Sequence, residues 1–223
     1  MNEQTEKIAR QDYRMTCERT ELNARQKADQ TENTQDKLIA DAAISGTRRV
    51  LNQFGSIDKD KNGFITLSEI DTMPDKKLAE ALKGSHASIQ AANDDEWFFE
   101  NDGITRGDLQ KFSAWAAEMP EATRKARDVR ETVERNWSSL AGSDQRIRRH
   151  ELARAADSGM FNQCDSEALR NGENDFTGIG HKVGKNSRKI KFPHLEERVR
   201  EIESAYSPIR KFGNALSQDK PSW

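Results

Sequence analysis

The sequence predicts an all-α protein built from two pairs of helix-loop-helix units behind a polar N-terminal arm. Three observations predict it. Apolar residues are scarce, 34% against 33% charged, and they recur mostly at steps of three and four, the spacing of helices that each bury one narrow stripe. A short motif, an isoleucine followed five residues later by Ile or Leu, occurs four times at nearly constant separation. Between two helical stretches lies a twelve-residue loop dense in oxygen donors.

Residues 1–40 are dominated by Glu, Gln, Lys, Arg, Thr, Asn and Asp. Ile8, Met15 and Leu22 fall seven apart without a second apolar position, which supports no coiled coil. A solvated helix or a partly disordered arm is expected. From Ala42 onward, Ile44, Val50, Leu51, Phe54 and Ile57 make an amphipathic helix. Leu67, Ile70 and Met73 begin another, which Pro74 ends or re-aims because proline lacks an N–H. Leu78, Leu82 and Ile89 share one face of the next.

The four motif copies start at Ile65, Ile104, Ile147 and Ile190, separated by 39, 43 and 43 residues, and close at Ile70, Leu109, Leu152 and Leu195. Val133, Trp137 and Leu140 repeat the spacing of Val50, Phe54 and Ile57. A boundary is expected at Met119-Pro120-Glu121, where one helix ends and Pro120 opens the next. The organisation expected is an arm over 1–40, a first pair over 41–119, a second over 121–207 and a tail over 208–223. Gly172, Gly178, Gly180 and Gly184 read as a long connection inside the fourth repeat.

The loop Asp58-Lys-Asp60-Lys-Asn62-Gly63-Phe64-Ile65-Thr66-Leu-Ser-Glu69 has the residue types that a hard divalent cation demands. Asp58, Asp60 and Asn62 offer oxygens at alternating positions. Gly63 tolerates the left-handed backbone of a sharp turn. Phe64 offers its carbonyl, Thr66 a hydroxyl or a bound water, and Glu69 both carboxylate oxygens. These residues resemble, position by position, the calcium loop of the EF-hand family. The resemblance implies one calcium ion held by Asp58, Asp60, Asn62, Phe64, Thr66 and Glu69, with magnesium as an alternative occupant. It also implies that the units pair, Ile65 facing Ile104 and Ile147 facing Ile190, in a calmodulin-like layout.

The other copies depart from the pattern. Counting back from Ile104 puts Trp97 and Phe99 where ligands belong; a longer irregular loop would bring Asp94, Glu96, Asn101 and Asp108 together. The third copy has Ala141 at the first ligand position, although Glu151 stands at the last. The fourth is basic, with Lys185, Arg188, Lys189 and His194, and should repel a divalent cation. Both are expected to be structural partners only. Trp97, Phe98 and Phe99 read as core.

A formal net charge of −2 argues against a general nucleic-acid binder. No apolar run reaches membrane-spanning length and the first residues lack the core of a secretory signal, so a cytoplasmic chain is expected. Cys17 and Cys164 suggest free thiols. His86, His150, His181 and His194 show no zinc or triad spacing, and no nucleophile-base constellation points to an enzyme. The basic stretch from His181 to Lys191 reads as a solvated loop, or a contact for an acidic partner or anionic lipid. Two roles remain open: a calcium sensor that exposes an apolar groove to a protein partner, or an adaptor in which calcium stabilises one lobe.

Overall fold

The computed structural model describes residues 3–93, 103–141, 146–182, 189–190 and 192–217. These form nine helices and two small antiparallel sheets. The first helix, α1, runs unbroken from Glu3 to Ile57 over 55 residues, roughly 80 Å at the rise of an α-helix. Good helix formers fill it, with no proline and no glycine before Gly46. The polar arm and the helix expected after Ala42 are therefore one element. Among the side chains described, its buried stripe includes Asp36, Ile39 and Ala40 inside the expected arm and continues through Ala43, Thr47, Val50, Phe54 and Ile57.

After the loop come strand β1 (Ile65–Thr66), helix α2 (Leu67–Asp71) and helix α3 (Lys76–Gln90). The break between the helices contains Pro74, and the side chain of Asp75 accepts the Leu78 N–H at 3.0 Å to start α3. Leu78, Leu82 and Ile89 of α3 are buried. Past a short 3-10 turn at Ala91–Asn93, strand β2 (Gly103–Ile104) lies antiparallel to β1, with Ile65 opposite Ile104. Helix α4 then spans Arg106–Arg135.

The boundary expected at Pro120 falls inside α4. Proline removes one helical bond, but Ala116, Met119 and Thr123 on the same stretch are fully buried, so packing on both sides holds the helix through it. Helix α5 (Trp137–Ala141) follows a break at Asn136; then come β3 (Ile147–Arg148), α6 (Arg149–Asp157) and α7 (Gln163–Lys182). The expected glycine-rich connection is helical as far as Lys182, so Gly172, Gly178 and Gly180 lie within α7; glycine propensity is a weak force beside tertiary context. Gly184 lies outside the described residues. Strand β4 (Lys189–Ile190) pairs with β3, setting Ile147 opposite Ile190, and α8 (Phe192–Ala205) follows.

Residues 208–217, expected in a tail, belong to α9 (Ser207–Ser217). Ile209 and Phe212 are fully buried in the same core as Phe54, Ile70, Leu82 and Phe112. The Phe212 ring meets Phe112 edge to face, centroids 5.7 Å apart. Glycines let α9 approach α1: a Cβ on Gly213 would clash with the Ile39 carbonyl oxygen, and one on Gly46 with Leu216 Cδ1. A second core gathers Val129, Val133, Ile147, Leu152, Leu169 and Leu195. Because α4 contributes Leu109, Phe112 and Met119 to the first core and Val129 and Val133 to the second, one helix joins them.

A buried polar cluster ties the chain's distant parts together. Asp36 of α1 accepts from Thr123 Oγ1 at 3.0 Å and Arg127 Nη2 at 3.1 Å, both on α4. Arg210 Nη2 of α9 lies 2.9 Å from its other oxygen. Arg127 also reaches Glu32 and Glu203, each at 3.3 Å. Burial opposes the Arg127 charge, but Asp36 and the two glutamates outweigh it and raise its pKa. Among the described residues no helix is long and apolar enough to cross a membrane.

Candidate metal centre

The loop from Asp58 to Glu69 opens at the C-terminal end of α1, where the Asp58 N–H still donates to the Phe54 carbonyl at 2.9 Å. Its backbone turns back through two left-handed residues, Lys61 at φ 59° and Gly63 at φ 88°. Gly63 adopts that conformation without penalty, whereas Lys61 adopts it against a steric cost. What holds the turn is the loop's own carboxylates. Asp58 accepts the N–H groups of Asn62 and Gly63, both at 3.1 Å. Asp60 accepts the Asn62 N–H at 3.1 Å and its side-chain amide at 2.9 Å. The Asn62 side-chain oxygen in turn takes the Phe64 N–H at 2.8 Å.

Glu69 closes the loop from the first turn of α2. Thr66 is the N-cap of that helix, and the two form a reciprocal capping box. One Glu69 oxygen accepts the Thr66 N–H at 2.9 Å and the Thr66 hydroxyl at 2.8 Å. The other reaches across the loop to the Lys59 N–H at 2.8 Å. Burial pushes this carboxyl up, but those bonds from Thr66 and Lys59, with one from the Asp60 N–H, hold it below its ordinary value of 4.5. The site therefore keeps Glu69 ionised.

Asp58, Asp60 and Glu69 each present an oxygen within 4.8 Å of the others'. Asp58 and Glu69 are buried, while Asp60 is exposed. Among the described residues no lysine or arginine is ion-paired with any of the three. Three converging carboxylates, with no described histidine or cysteine in the group, make an all-oxygen donor set suited to a hard divalent ion. Of the six predicted ligands, the structure thus brings three together as charged donors. Asn62, Phe64 and Thr66 line the same turn, engaged in the bonds that shape it. The chain is a helical protein with an acidic cluster able to hold a metal.

The β1–β2 contact braces the far side of the loop. A Cβ on Gly103 would lie 2.9 Å from both the Ile65 carbonyl oxygen and Phe64 Cβ, so glycine there allows the second unit to close on the loop. Arg106 stacks over the Phe54 ring with its guanidinium carbon 4.4 Å from the centroid. Asp108 repeats the role of Glu69 without its setting: it is buried and accepts the Thr105 N–H at 2.8 Å in the capping box of α4. Asp94, Glu96, Trp97, Phe98, Phe99 and Asn101 lie outside the described residues, as do Lys185 and Arg188. Glu151 accepts the Arg148 N–H at 2.6 Å and so acts as a carboxylate at the start of α6.

Two features of the fold away from this loop, α9 and Asp36, were not anticipated from sequence. Ile209, Phe212 and Leu216 carry a helical spacing that marks α9 as amphipathic, a signal present but short. Asp36 gives no signal, since it is one polar residue among many. No family model, no curated protein and no solved structure matches the chain.

Proposed function

We propose that this protein binds one calcium ion in the Asp58–Glu69 loop and belongs, by that loop, with the EF-hand proteins. The observation that carries the reading is the convergence of Asp58, Asp60 and Glu69 oxygens around a turn whose sixth residue, Gly63, is left-handed. Asn62, the Phe64 carbonyl and Thr66 complete the proposed oxygen shell, and magnesium, which demands a tighter octahedron, is the competing occupant. The role is non-enzymatic: calcium supports a module that binds a protein partner.

Of the two roles the sequence leaves open, α9 favours the calcium-stabilised module over the sensor. A sensor needs an apolar face that calcium uncovers. Here the face shared by α1, α3 and α4 already holds Ile209 and Phe212. Native mass measurement tests the metal claim, with one calcium per chain expected and none in Glu69→Gln; a chain that stays metal-free at millimolar calcium overturns it. An apolar dye separates the roles. Unchanged dye binding with a raised melting temperature supports the module, and a calcium-dependent rise in dye fluorescence supports the sensor.

A further inference from the structure

A groove of about 1280 Å³ runs between α4 and α8, away from the metal loop. Its apolar lining is Trp115, Ala122, Ile202, Ala205 and Tyr206. The Trp115 and Tyr206 rings lie 5.8 Å apart at 41°, and Trp115 is held from behind by an edge contact to Phe112. Tyr206 is buried, while Trp115 is partly exposed. The rim is acidic, with Glu118 and Glu121 on α4 and Glu196, Glu197 and Glu201 on α8, all exposed.

The charges do not cancel within the groove. Lys125 pairs with Glu121 at 2.6 Å and Arg198 with Glu201 at 3.0 Å. Among the described residues lining the groove, that leaves Glu118, Glu196 and Glu197 against one further cation, Arg200. The Tyr206 phenol feels this imbalance: burial first, then the Glu118 charge, raises its pKa above the ordinary 10.0. From Trp115 to Lys125 the α4 wall covers roughly 15 Å, and a helix of that length and about 10 Å across fills roughly 1200 Å³, the size of the groove.

We propose that this groove docks a basic amphipathic helix of a protein partner, its apolar face on Trp115 and Ile202 and its lysines or arginines against Glu118, Glu196 and Glu197. The warrant is charge complementarity around an apolar lining. The surface and its occupant are independent of the metal reading.

The probe is a tryptophan-free 14-residue helical peptide with leucine on one face and lysine on the other, titrated into the full chain by calorimetry. Micromolar binding is expected. It should weaken about tenfold in the double variant Glu118→Lys, Glu197→Lys, and also as salt shortens the reach of the rim charges. Both positions are exposed, and thermal melting checks that the variant folds; if it does not, Glu196→Gln with Glu197→Gln makes the same test with a smaller loss. The Glu69→Gln protein should bind the peptide as the natural chain does, which separates this claim from the calcium claim. Equal affinity in the charge variants, equal binding of a glutamate-for-lysine control peptide, or closure of the groove by self-association would each overturn the proposal.

Discussion

Replacing Glu69 by glutamine removes one charge and keeps the shape, so its effect can be worked from the loop's contacts. Without metal, two terms oppose. The Glu69 oxygens accept from Lys59 N at 2.8 Å, Thr66 N at 2.9 Å and the Thr66 hydroxyl at 2.8 Å. An amide keeps one acceptor and turns a donor toward the others, losing one or two hydrogen bonds to a charged group at about 1.5–3 kcal/mol each. Against that, the substitution relieves repulsion with Asp58 and Asp60, whose oxygens lie within 4.8 Å. At that distance each pair costs from about 1 kcal/mol in a water-like medium to about 3 at an effective dielectric of 20. The two terms nearly cancel, so metal-free stability should change by less than about 2 kcal/mol. In calcium the balance is one-sided. A loop of micromolar affinity at about 1 mM calcium gains roughly 4 kcal/mol, or about 8–16 °C in melting temperature for a chain of this size. Circular-dichroism melts in chelator and in calcium measure both numbers. The natural chain should show the full calcium shift, and Glu69→Gln almost none. The same calcium shift in both proteins would refute the role given to Glu69.

Three further outcomes follow from the same geometry. In chelator, the depressed Glu69 pKa contributes stability that is complete above the ordinary 4.5 and lost as pH falls through the lower folded value; melts below pH 4.5 should therefore fall more steeply for the natural chain than for Glu69→Gln. Gly103→Ala should destabilise by about 1–3 kcal/mol in urea unfolding and weaken calcium binding, because the new methyl group meets the Ile65 carbonyl oxygen at 2.9 Å. Phe212→Ala should cost about 3–5 kcal/mol and raise apolar-dye binding, by loosening α9 from the first core; an unchanged dye signal would mean that Phe212 does not hold α9 in place.

What could be read from the sequence was what repeats or alternates. The repeat located the four isoleucines, the loop's resemblance to the EF-hand implied the pairs Ile65–Ile104 and Ile147–Ile190, and both pairs are present. The periodic residues of α3 are buried as their spacing implies. The loop's donor pattern found Asp58, Asp60 and Glu69, which are close in sequence and meet in space. What could not be read depends on partners far along the chain. Asp36 is a solvated carboxylate until Arg127 and Arg210 arrive from 91 and 174 residues away. Pro120 reads as a boundary until burial on both sides carries the helix through it. Residues 208–217 are too few to announce a helix by themselves, and they become one against α1 and α3.

The docking of α9 also sets an order of events during synthesis. Met119 completes the part of the first core that precedes the second, and Ile209 is made 90 residues later. At about 5–20 residues per second, that interval is roughly 5–20 s. Throughout it, the nascent chain presents Ile39 and Phe112 without the α9 residues that pack on them, the state in which a holdase chaperone or a second chain's α9 has its opening. Because α9 follows the second core in the chain yet packs in the first, truncation before Ser207 should appear as aggregation during expression before it appears as lost calcium binding.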